Sequence, residues 1–370
     1  MIESNQPKHL FYSLPWVDPI DKRPLTVRIL LEDSAGRPLF GALVTEDNRH
    51  GYPIIDGIVM GTPELAAERS DWLSSMGLEV PLSSDANDFQ AEGSVDSFGF
   101  EWTWDAEART EVDLSWRVAS RYNLDRSFYG GKLVLDAGAG AGDQSRWLLE
   151  SKPRGLVSVE LSKSIDVVRH KLAHLPNWVG IRGDLTRLPL ADETFDFVYC
   201  EGVIQHTRDS QIAVHELCRV LRTGGSISAT HYGYQSPAGS GLKPIVRRAI
   251  NRIFFHRRWE RLSKWDRDKL FLYCGVIAWL AHRPIIGPFL RRFGYAVYNP
   301  RMLTFKTTWS CTYDAVGTHT YSREISQHEF RRCFETVPAS RMKFLFIEGN
   351  VFLAEKQAAL TPFTETNQGA

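Results

Sequence analysis

The segment 132–142 constrains the fold of this chain more than any other part of the sequence. It joins a short apolar run to one acid and three glycines at alternate positions, namely Asp136, Gly138, Gly140 and Gly142. We expect a buried strand, a glycine-only turn and then a helix, because such glycines let the backbone pass close to a ligand. The helix would present its first N–H groups there. The segment therefore predicts a cofactor-binding loop.

Residue spacing argues against two common kinds of glycine loop. The dinucleotide-binding fingerprint needs Gly or Ala three residues after its second glycine, and the two possible places hold Asp143 and Ser145. A phosphate-binding loop needs a Lys-Ser or Lys-Thr pair after its glycines, and none follows here. The loop is thus predicted to bind a different cofactor.

Two further acids follow apolar runs at a regular interval. Glu160 lies 24 residues after Asp136, and Asp184 lies 24 residues after Glu160. This interval is the length of a strand–helix unit, so the three acids are expected at one edge of a parallel sheet. The alternative for each acid is a turn residue that accepts hydrogen bonds from neighbouring backbone amides.

These motifs resemble the class I S-adenosyl-L-methionine (SAM)-dependent methyltransferases of the type 11 kind, over about residues 130–232. The resemblance implies a Rossmann-like α/β fold, with a mostly parallel sheet and an antiparallel last strand. It implies SAM as the cofactor and S-adenosyl-L-homocysteine as the product. Glu160 would bind the ribose hydroxyls and Asp184 the adenine amino group. The cofactor-binding residues implied are Asp136, Gly138, Gly140, Gly142, Glu160, Leu161, Asp184, Leu185 and Glu201.

Composition and pattern divide the chain into six segments around this core. A capping box at Ser326–Glu329 predicts a late helix, and the runs 341–347 and 350–354 predict a closing hairpin. The segments are a small β module (1–62), an acidic, aromatic-rich linker that covers the cofactor (63–129), the SAM-binding core (130–235), a basic helical lid (236–306), the C-terminal part of the core (307–358) and a flexible tail (359–370).

The first 62 residues predict a small antiparallel β unit, with strands near 26–31 and 39–44. Segments 17–25 and 51–59 resemble a Trm112-type zinc ribbon, in which cysteine pairs sit beside these segments. This chain has no cysteine before Cys200 and no C-x-x-C pair. We therefore predict no metal site, and we expect the module to be stabilised by packing on the main domain.

The lid segment is strongly basic. Between residues 242 and 306 there are 15 Lys or Arg and three acids, whereas residues 64–125 hold 14 acids and four Arg. Two amphipathic helices are expected in the lid. Its positive charges could pair with the acidic segment, attract an anionic or carrier-bound substrate, or bind a membrane surface.

Three histidines are candidates for a catalytic base, which methyl transfer needs only when the acceptor arrives protonated. His206 is the first choice because it follows the apolar run 195–200, the predicted fourth strand of the core, and imidazole titrates near neutral pH. A hydrogen bond at the helix start or a contact with the cofactor's carboxylate is the alternative role. His231 ends the fifth strand, which is predicted after the turn at Gly224-Gly225, and His319 lies in a loop that resembles the family's acceptor-side loop.

The sequence predicts an enzyme that methylates an oxygen or nitrogen of a small molecule, such as a bulky biosynthetic or secondary metabolite. The alternatives are an RNA methyltransferase and a SAM-binding partner subunit without activity. A net charge of zero and a pI near 7.2 argue against nucleic acid as a partner. The N-terminus lacks a signal-peptide pattern, and charges and prolines interrupt the apolar stretch 271–290. We therefore expect a cytoplasmic protein without an integral membrane span.

Overall fold

A computed structural model describes residues 9–82, 111–231, 267–292, 304–316 and 325–359. The strands of these residues are β1 (Thr26–Glu32), β2 (Pro38–Val44), β3 (Gly51–Ile55), β4 (Ile58–Met60), β5 (Leu133–Ala137), β6 (Gly155–Glu160), β7 (Trp178–Arg182), β8 (Phe195–Cys200), β9 (Leu221–Thr230), β10 (Ser340–Glu348) and β11 (Val351–Ala358). The helices are α1 (Pro63–Ala67), α2 (Ser70–Ser75), α3 (Glu111–Val118), α4 (Asp143–Glu150), α5 (Ile165–Leu172), α6 (Ser210–Val220), α7 (Arg267–Ala281), α8 (Ile286–Arg292), α9 (Phe305–Val316) and α10 (Gln327–Glu335).

The described strands form one mixed sheet in the order β1-β2-β3-β4-β7-β6-β5-β8-β9-β11-β10. Strands β7, β6, β5, β8 and β9 are parallel, and β11 returns antiparallel to β9. Helices connect β5 to β6, β6 to β7 and β8 to β9, whereas residues 183–194 connect β7 to β8 without a helix. Because the strands are parallel, their carboxyl ends lie at one edge of the sheet. The predicted Rossmann-like α/β fold with an antiparallel last strand is confirmed.

The central strands are buried because helices cover both faces of the sheet. Neighbouring residues on a strand point to opposite faces, so Val134 packs in the cluster that contains Trp147 of α4. Leu135 packs on the other face, in the cluster that contains Leu217 of α6. Every residue of β5 and β8 is buried, as expected for a parallel sheet covered on both sides.

The N-terminal strands continue the main sheet. β4 pairs in parallel with β7, with Ile58 opposite Gly180 and Met60 opposite Arg182. A Cβ atom at position 180 would lie 2.5 Å from the Cδ1 atom of Ile58, so glycine allows the close approach of these two strands. The predicted strands near 26–31 and 39–44 are confirmed as β1 and β2.

Side-chain oxygens close two turns of the N-terminal strands. Asp18 accepts hydrogen bonds from the amide of Ile20 at 2.7 Å and from the hydroxyl of Tyr52 at 2.9 Å. Thr45 Oγ1 accepts from the amide of His50 at 3.1 Å. No group of three or more His, Cys, Asp or Glu in the described part of the chain is placed to hold a metal ion. The resemblance to a zinc ribbon stays a prediction.

The C-terminal elements follow the sequence prediction closely. Ser326 and Glu329 form a reciprocal capping box at the start of α10, since each side chain accepts from the other residue's backbone N–H. β10 and β11 form the predicted hairpin, and β11 extends the sheet beside β9. Phe330 of α10 stacks on Phe352 of β11 with 4.7 Å between ring centroids, which fixes the helix on the sheet.

The lid helices differ from the amphipathic pattern that was expected. α7 buries Leu270, Cys274 and Ala278, yet it also exposes apolar side chains such as Leu272 and Trp279. The helix is therefore apolar on both sides, because its sequence from 270 to 281 holds no charged residue. None of the helices in the described ranges has the length and apolarity needed to cross a bilayer. Residues 236–266 and 293–303 of the lid lie outside the described residues.

The continuous sheet predicts that the N-terminal strands and the core unfold together. Ile58→Ala should lower the free energy of unfolding by about 3 kcal/mol, because the side chain is buried where β4 meets β7. Ile20→Ala is the control, since Ile20 is 38% exposed and should cost less than about 1 kcal/mol. Urea unfolding should show a single transition, and Ile58→Ala should shift its midpoint to a lower urea concentration. Two separate transitions, with only one midpoint shifted by the substitution, would show that the two parts unfold independently.

Candidate functional site

The carboxyl ends of four parallel strands line one edge of the sheet. Asp136 of β5 is in register with Tyr199 of β8, and Glu160 of β6 is in register with Arg182 of β7. Asp184 follows two residues after the end of β7. The structure therefore brings the three predicted acids to the same edge, where ligands of open α/β sheets bind.

The glycine loop between β5 and α4 adopts a backbone that requires glycine. Gly138, Gly140 and Gly142 have φ angles of 90°, 53° and 81°. The amide of Gly138 donates to the carbonyl of Val159 at 2.8 Å, which ties the loop to β6. A Cβ atom at position 138 would lie 2.3 Å from Cγ2 of Val203, so Gly138 also allows the segment after β8 to approach the loop.

The Glu160 carboxylate lies at the glycine loop. Its Oε2 accepts from the amide of Gly140 at 3.0 Å, and its Oε1 accepts from the amide of Ser162 at 2.9 Å. Glu160 and its neighbour Leu161 remain partly exposed at the sheet edge. Each carboxylate oxygen has a second lone pair, so Glu160 can still accept from two adjacent hydroxyl groups of a ligand.

Asp184 and Asp136 differ in their accessibility. Asp184 is partly exposed and accepts from the amide and the hydroxyl of Thr186, both at 2.8 Å, whereas Leu185 beside it is buried. Asp136 is 1% exposed and accepts from the hydroxyl of Ser145 in α4. The Asp136 bond fixes the helix to the strand that precedes it, while Asp184 faces the side where a ligand can reach it.

A lysine that sequence reasoning missed also holds the loop. Lys171 of α5 donates to the carboxylate of Asp143 at 2.9 Å and to the carbonyl of Ala141 at 2.8 Å. Asp143 is the first residue of α4, where its negative charge also favours the helix dipole. The pair joins residues 28 apart in the sequence, so no local pattern marks it.

Glu201 lies in a network of arginines and tyrosine beyond β8. It forms ion pairs with Arg117 of α3 at 3.2 Å and with Arg121 at 3.1 Å, and it accepts from the hydroxyl of Tyr199. Arg117 also pairs with the buried Asp113 at 2.7 Å. Glu201 thereby fastens the segment before β5 to the sheet edge. The resemblance implied only a contact between Glu201 and the cofactor, so this structural role was not predicted.

Burial sets the protonation of this network. Burial opposes the charge on Arg117, but the carboxylates of Glu201 and Asp113 outweigh it and raise the pKa of this guanidinium. Burial and the adjacent Glu201 raise the pKa of Tyr199 well above its usual value, so its hydroxyl stays a hydrogen-bond donor. The arginines therefore stay charged and hold α3 at the site across the physiological pH range.

The candidate histidines lie in different surroundings. His206 ends a short 3₁₀ turn, Ile204–His206, beyond β8 and is half-buried at the sheet edge. His231 is 5% exposed, its Nε2 atom lies 3.1 Å from the hydroxyl of Ser210, and its ring packs on Phe330. His231 thus packs between α6 and α10, and its role as a base stays a prediction. His319 lies outside the described residues.

Gln205 is a site residue that the sequence did not single out. It is fully buried beside His206, and its amide nitrogen and oxygen have no hydrogen-bond partner among the described residues. The Nε2 atom of Gln205 lies 3.9 Å from the Cβ position of Gly202. A buried amide whose polar atoms lack partners is costly, so this position in the segment after β8 is typical of a functional one.

The helices after the N-terminal strands also reach this edge. Glu68, just after α1, pairs with Arg182 at 2.6 Å, and Glu64 of α1 pairs with Arg187 at 2.8 Å. Both arginines flank Asp184 in the sequence. Acids of the 64–125 segment thus pair with arginines of the core at the predicted adenine end of the site.

Comparisons with known proteins agree with this geometry. The family described as "Methyltransferase domain" matches residues 135–229. The chain is 31% identical to a demethylmenaquinone methyltransferase of Clavibacter sepedonicus over 197 residues, which covers 52% of this chain and 76% of that protein. It is 31% identical to a demethylmenaquinone methyltransferase of Mycolicibacterium paratuberculosis over 144 residues, covering 38% and 59%. It is 32% identical to a malonyl-[acyl-carrier protein] O-methyltransferase of Methylococcus capsulatus over 104 residues, covering 27% and 37%.

The fold, the glycine loop and the three acids define a cofactor-binding α/β domain. The chain belongs to the class I SAM-dependent methyltransferase family. It spans 59% and 37% of the lengths of the Mycolicibacterium and Methylococcus relatives.

The residues present fit SAM as the cofactor. The Glu160 carboxylate could accept hydrogen bonds from two ribose hydroxyls, and the Asp184 carboxylate could accept one from the adenine amino group. The loop at Gly138 leaves no room for a side chain between the backbone and Val203, which keeps the loop backbone close to the sheet edge.

The close packing of the glycine loop can be tested by adding a single methyl group at position 138. Gly138→Ala should weaken SAM binding at least about tenfold, because it combines a strained backbone with a clash against Val203. Gly131→Ala is the matched control, since Gly131 also has a positive φ of 69° but open space around its Cβ position. Calorimetric titration should show near-normal affinity for Gly131→Ala; equal losses in both variants would show that strain alone, and not the loop's close packing, matters.

Proposed function

We propose that this protein transfers the methyl group of SAM to an oxygen or nitrogen of a bulky, partly apolar small molecule. The observation that carries the proposal is the Glu160 carboxylate, bonded to the glycine loop at the carboxyl edge of a methyltransferase-type sheet. SAM supplies an activated methyl group on a sulfonium when it is bound. The protein's task is then to align the acceptor with that methyl group and to exclude water.

His206 is the residue best placed to remove a proton from the acceptor. It lies beyond β8, at the edge where the acceptor must meet the cofactor, and it is half-buried. With SAM held at the glycine loop and Glu160, the acceptor's oxygen or nitrogen would gain the methyl carbon, and that carbon's bond to sulfur would break. The acceptor's proton would pass to an imidazole nitrogen of His206.

The arginine–glutamate network supports the exclusion of water. Arg117 of α3 and Arg121, which follows this helix, pair with Glu201, so the segment before β5 is fastened to the residue that follows β8. Glu201 acts in this proposal as a positioning residue, because its carboxylate oxygens are held by the two arginines and by Tyr199. Excluding water lowers the local dielectric constant, which strengthens each polar contact inside the site.

A carrier-bound acceptor is the second candidate. The Methylococcus relative is named for an acyl-carrier-protein substrate, and the lid sequence 242–306 has an excess of 12 positive charges. Such an excess of positive charge would attract an anionic carrier or a phosphate-bearing arm. An RNA acceptor is a weaker alternative because the chain has no net charge.

The cofactor and base roles can be separated by two variants. Glu160→Ala should abolish SAM binding, since it removes the hydroxyl acceptor and the bond to Gly140. His206→Ala should bind SAM within about threefold of the original affinity and lose at least about 100-fold in methyl-transfer rate. Equal loss of SAM binding in both variants would contradict the base role of His206.

The acceptor class can be measured without knowing the acceptor. Purified protein and SAM with a radiolabelled methyl group are incubated with separated small-molecule, protein and RNA fractions of a cell extract. Label should enter the small-molecule fraction, and Glu160→Ala should not support incorporation. Label in the acyl-carrier or RNA fraction would favour those alternatives, and no label anywhere would favour a SAM-binding subunit without activity.

A further inference from the structure

The outer face of α7 and α8 presents a band of large apolar side chains to solvent. On α7 they recur at the helical spacing i, i+4 and i+7, which places them on one face. Ile285, in the turn between the two helices, is 89% exposed. We call this band the outer apolar face, and it consists of Leu272, Val276, Trp279, Ile285, Ile286 and Phe289.

The opposite face of α7 already packs on the protein. Cys274 and Ala278 are fully buried, and Leu270 is 2% exposed. The indole of Trp309 in α9 donates to the carbonyl of Phe271 at 2.8 Å, which fixes α7 on α9. The outer apolar face is therefore not needed to hold α7 in place. Apolar patches of this kind on a folded protein mark an interaction surface.

Positive charge accompanies the outer apolar face. The guanidinium of Arg283 lies 3.9 Å from the ring centroid of Trp279, an exposed cation–π pair at the end of α7. The surrounding sequence 242–306 carries 15 basic and three acidic residues. Two of the acids that could have offset this charge, Glu64 and Glu68, pair with core arginines instead.

We propose that the outer apolar face rests in the headgroup region of an anionic lipid membrane. Short helices that expose Trp, Phe and Leu beside Lys and Arg bind at the lipid–water interface, where apolar groups enter the acyl boundary and cations meet phosphates. α7 has 15 residues and is thus about 22 Å long, too short to span the hydrocarbon core. The protein lies on the membrane and does not cross it.

Charge also favours a membrane over a second copy of this chain as the binding partner of the outer apolar face. A symmetric dimer through this face would bring the Arg283 guanidinium groups of both copies into one interface, and like charges across an interface are unfavourable. An anionic lipid surface instead complements both Arg283 and the apolar band. This inference is independent of the acceptor proposed above, because it rests on the lid helices and not on the carboxyl edge of the sheet.

Vesicle co-sedimentation of the full chain tests the proposal. Vesicles of phosphatidylcholine and phosphatidylglycerol should bind the protein at least about tenfold more tightly than vesicles of phosphatidylcholine alone. Trp279→Glu combined with Phe289→Glu should weaken the binding to the anionic vesicles at least about tenfold. The matched control is Leu30→Glu combined with Leu31→Glu, because these β1 residues are 58% and 51% exposed, much like the 51% and 55% of Trp279 and Phe289.

Several outcomes would overturn the proposal. One is no binding to anionic vesicles, and another is binding that the Trp279 and Phe289 variant retains in full. Equal loss in the Leu30 and Leu31 control would also overturn it. A dimer in sedimentation velocity that the Trp279 and Phe289 variant dissociates would assign the face to a second copy. Unchanged SAM affinity in every variant shows that the fold and the cofactor site are intact, which separates this test from that of the proposed function.

Discussion

The parallel register of β5, β6, β7 and β8 is the constraint on which the rest of the structure depends. It sets Asp136 opposite Ser158 and Glu160 opposite Arg182, so the strands end together at one edge. Each strand is buried on both faces, and a shift of one residue would turn its side chains to the wrong faces. The glycine loop and the acids therefore occupy defined places because the core packing fixes the register.

Ion pairs fasten the helical segments around that edge. Arg117 of α3 and Arg121, which follows this helix, pair with Glu201, while Arg182 joins the N-terminal helices to β7 through Glu68. Partly buried ion pairs of this kind cost much when one partner is removed, although their net stabilisation is modest. Their main effect is to fix the positions of α3 and of the N-terminal helices relative to the site.

The sequence predicted the features that depend on local pattern. The central strands, the capping box at Ser326 and the glycine loop all follow from residue types within a few positions. It did not predict Lys171 with Asp143, or the arginines that hold Glu201, because these pairs join residues 28 to 84 positions apart. The outer apolar face was also missed, since an apolar helix of 15 residues looks the same in sequence whether one side or both are covered.

The glycine loop and Glu160 are the proposed SAM site. Calorimetric titration of the purified full chain with SAM and with S-adenosyl-L-homocysteine measures binding there. We expect one site per chain for both ligands, with a dissociation constant on the order of micromolar. The absence of binding heat for both ligands, together with no shift of the melting temperature at saturating SAM, would contradict it.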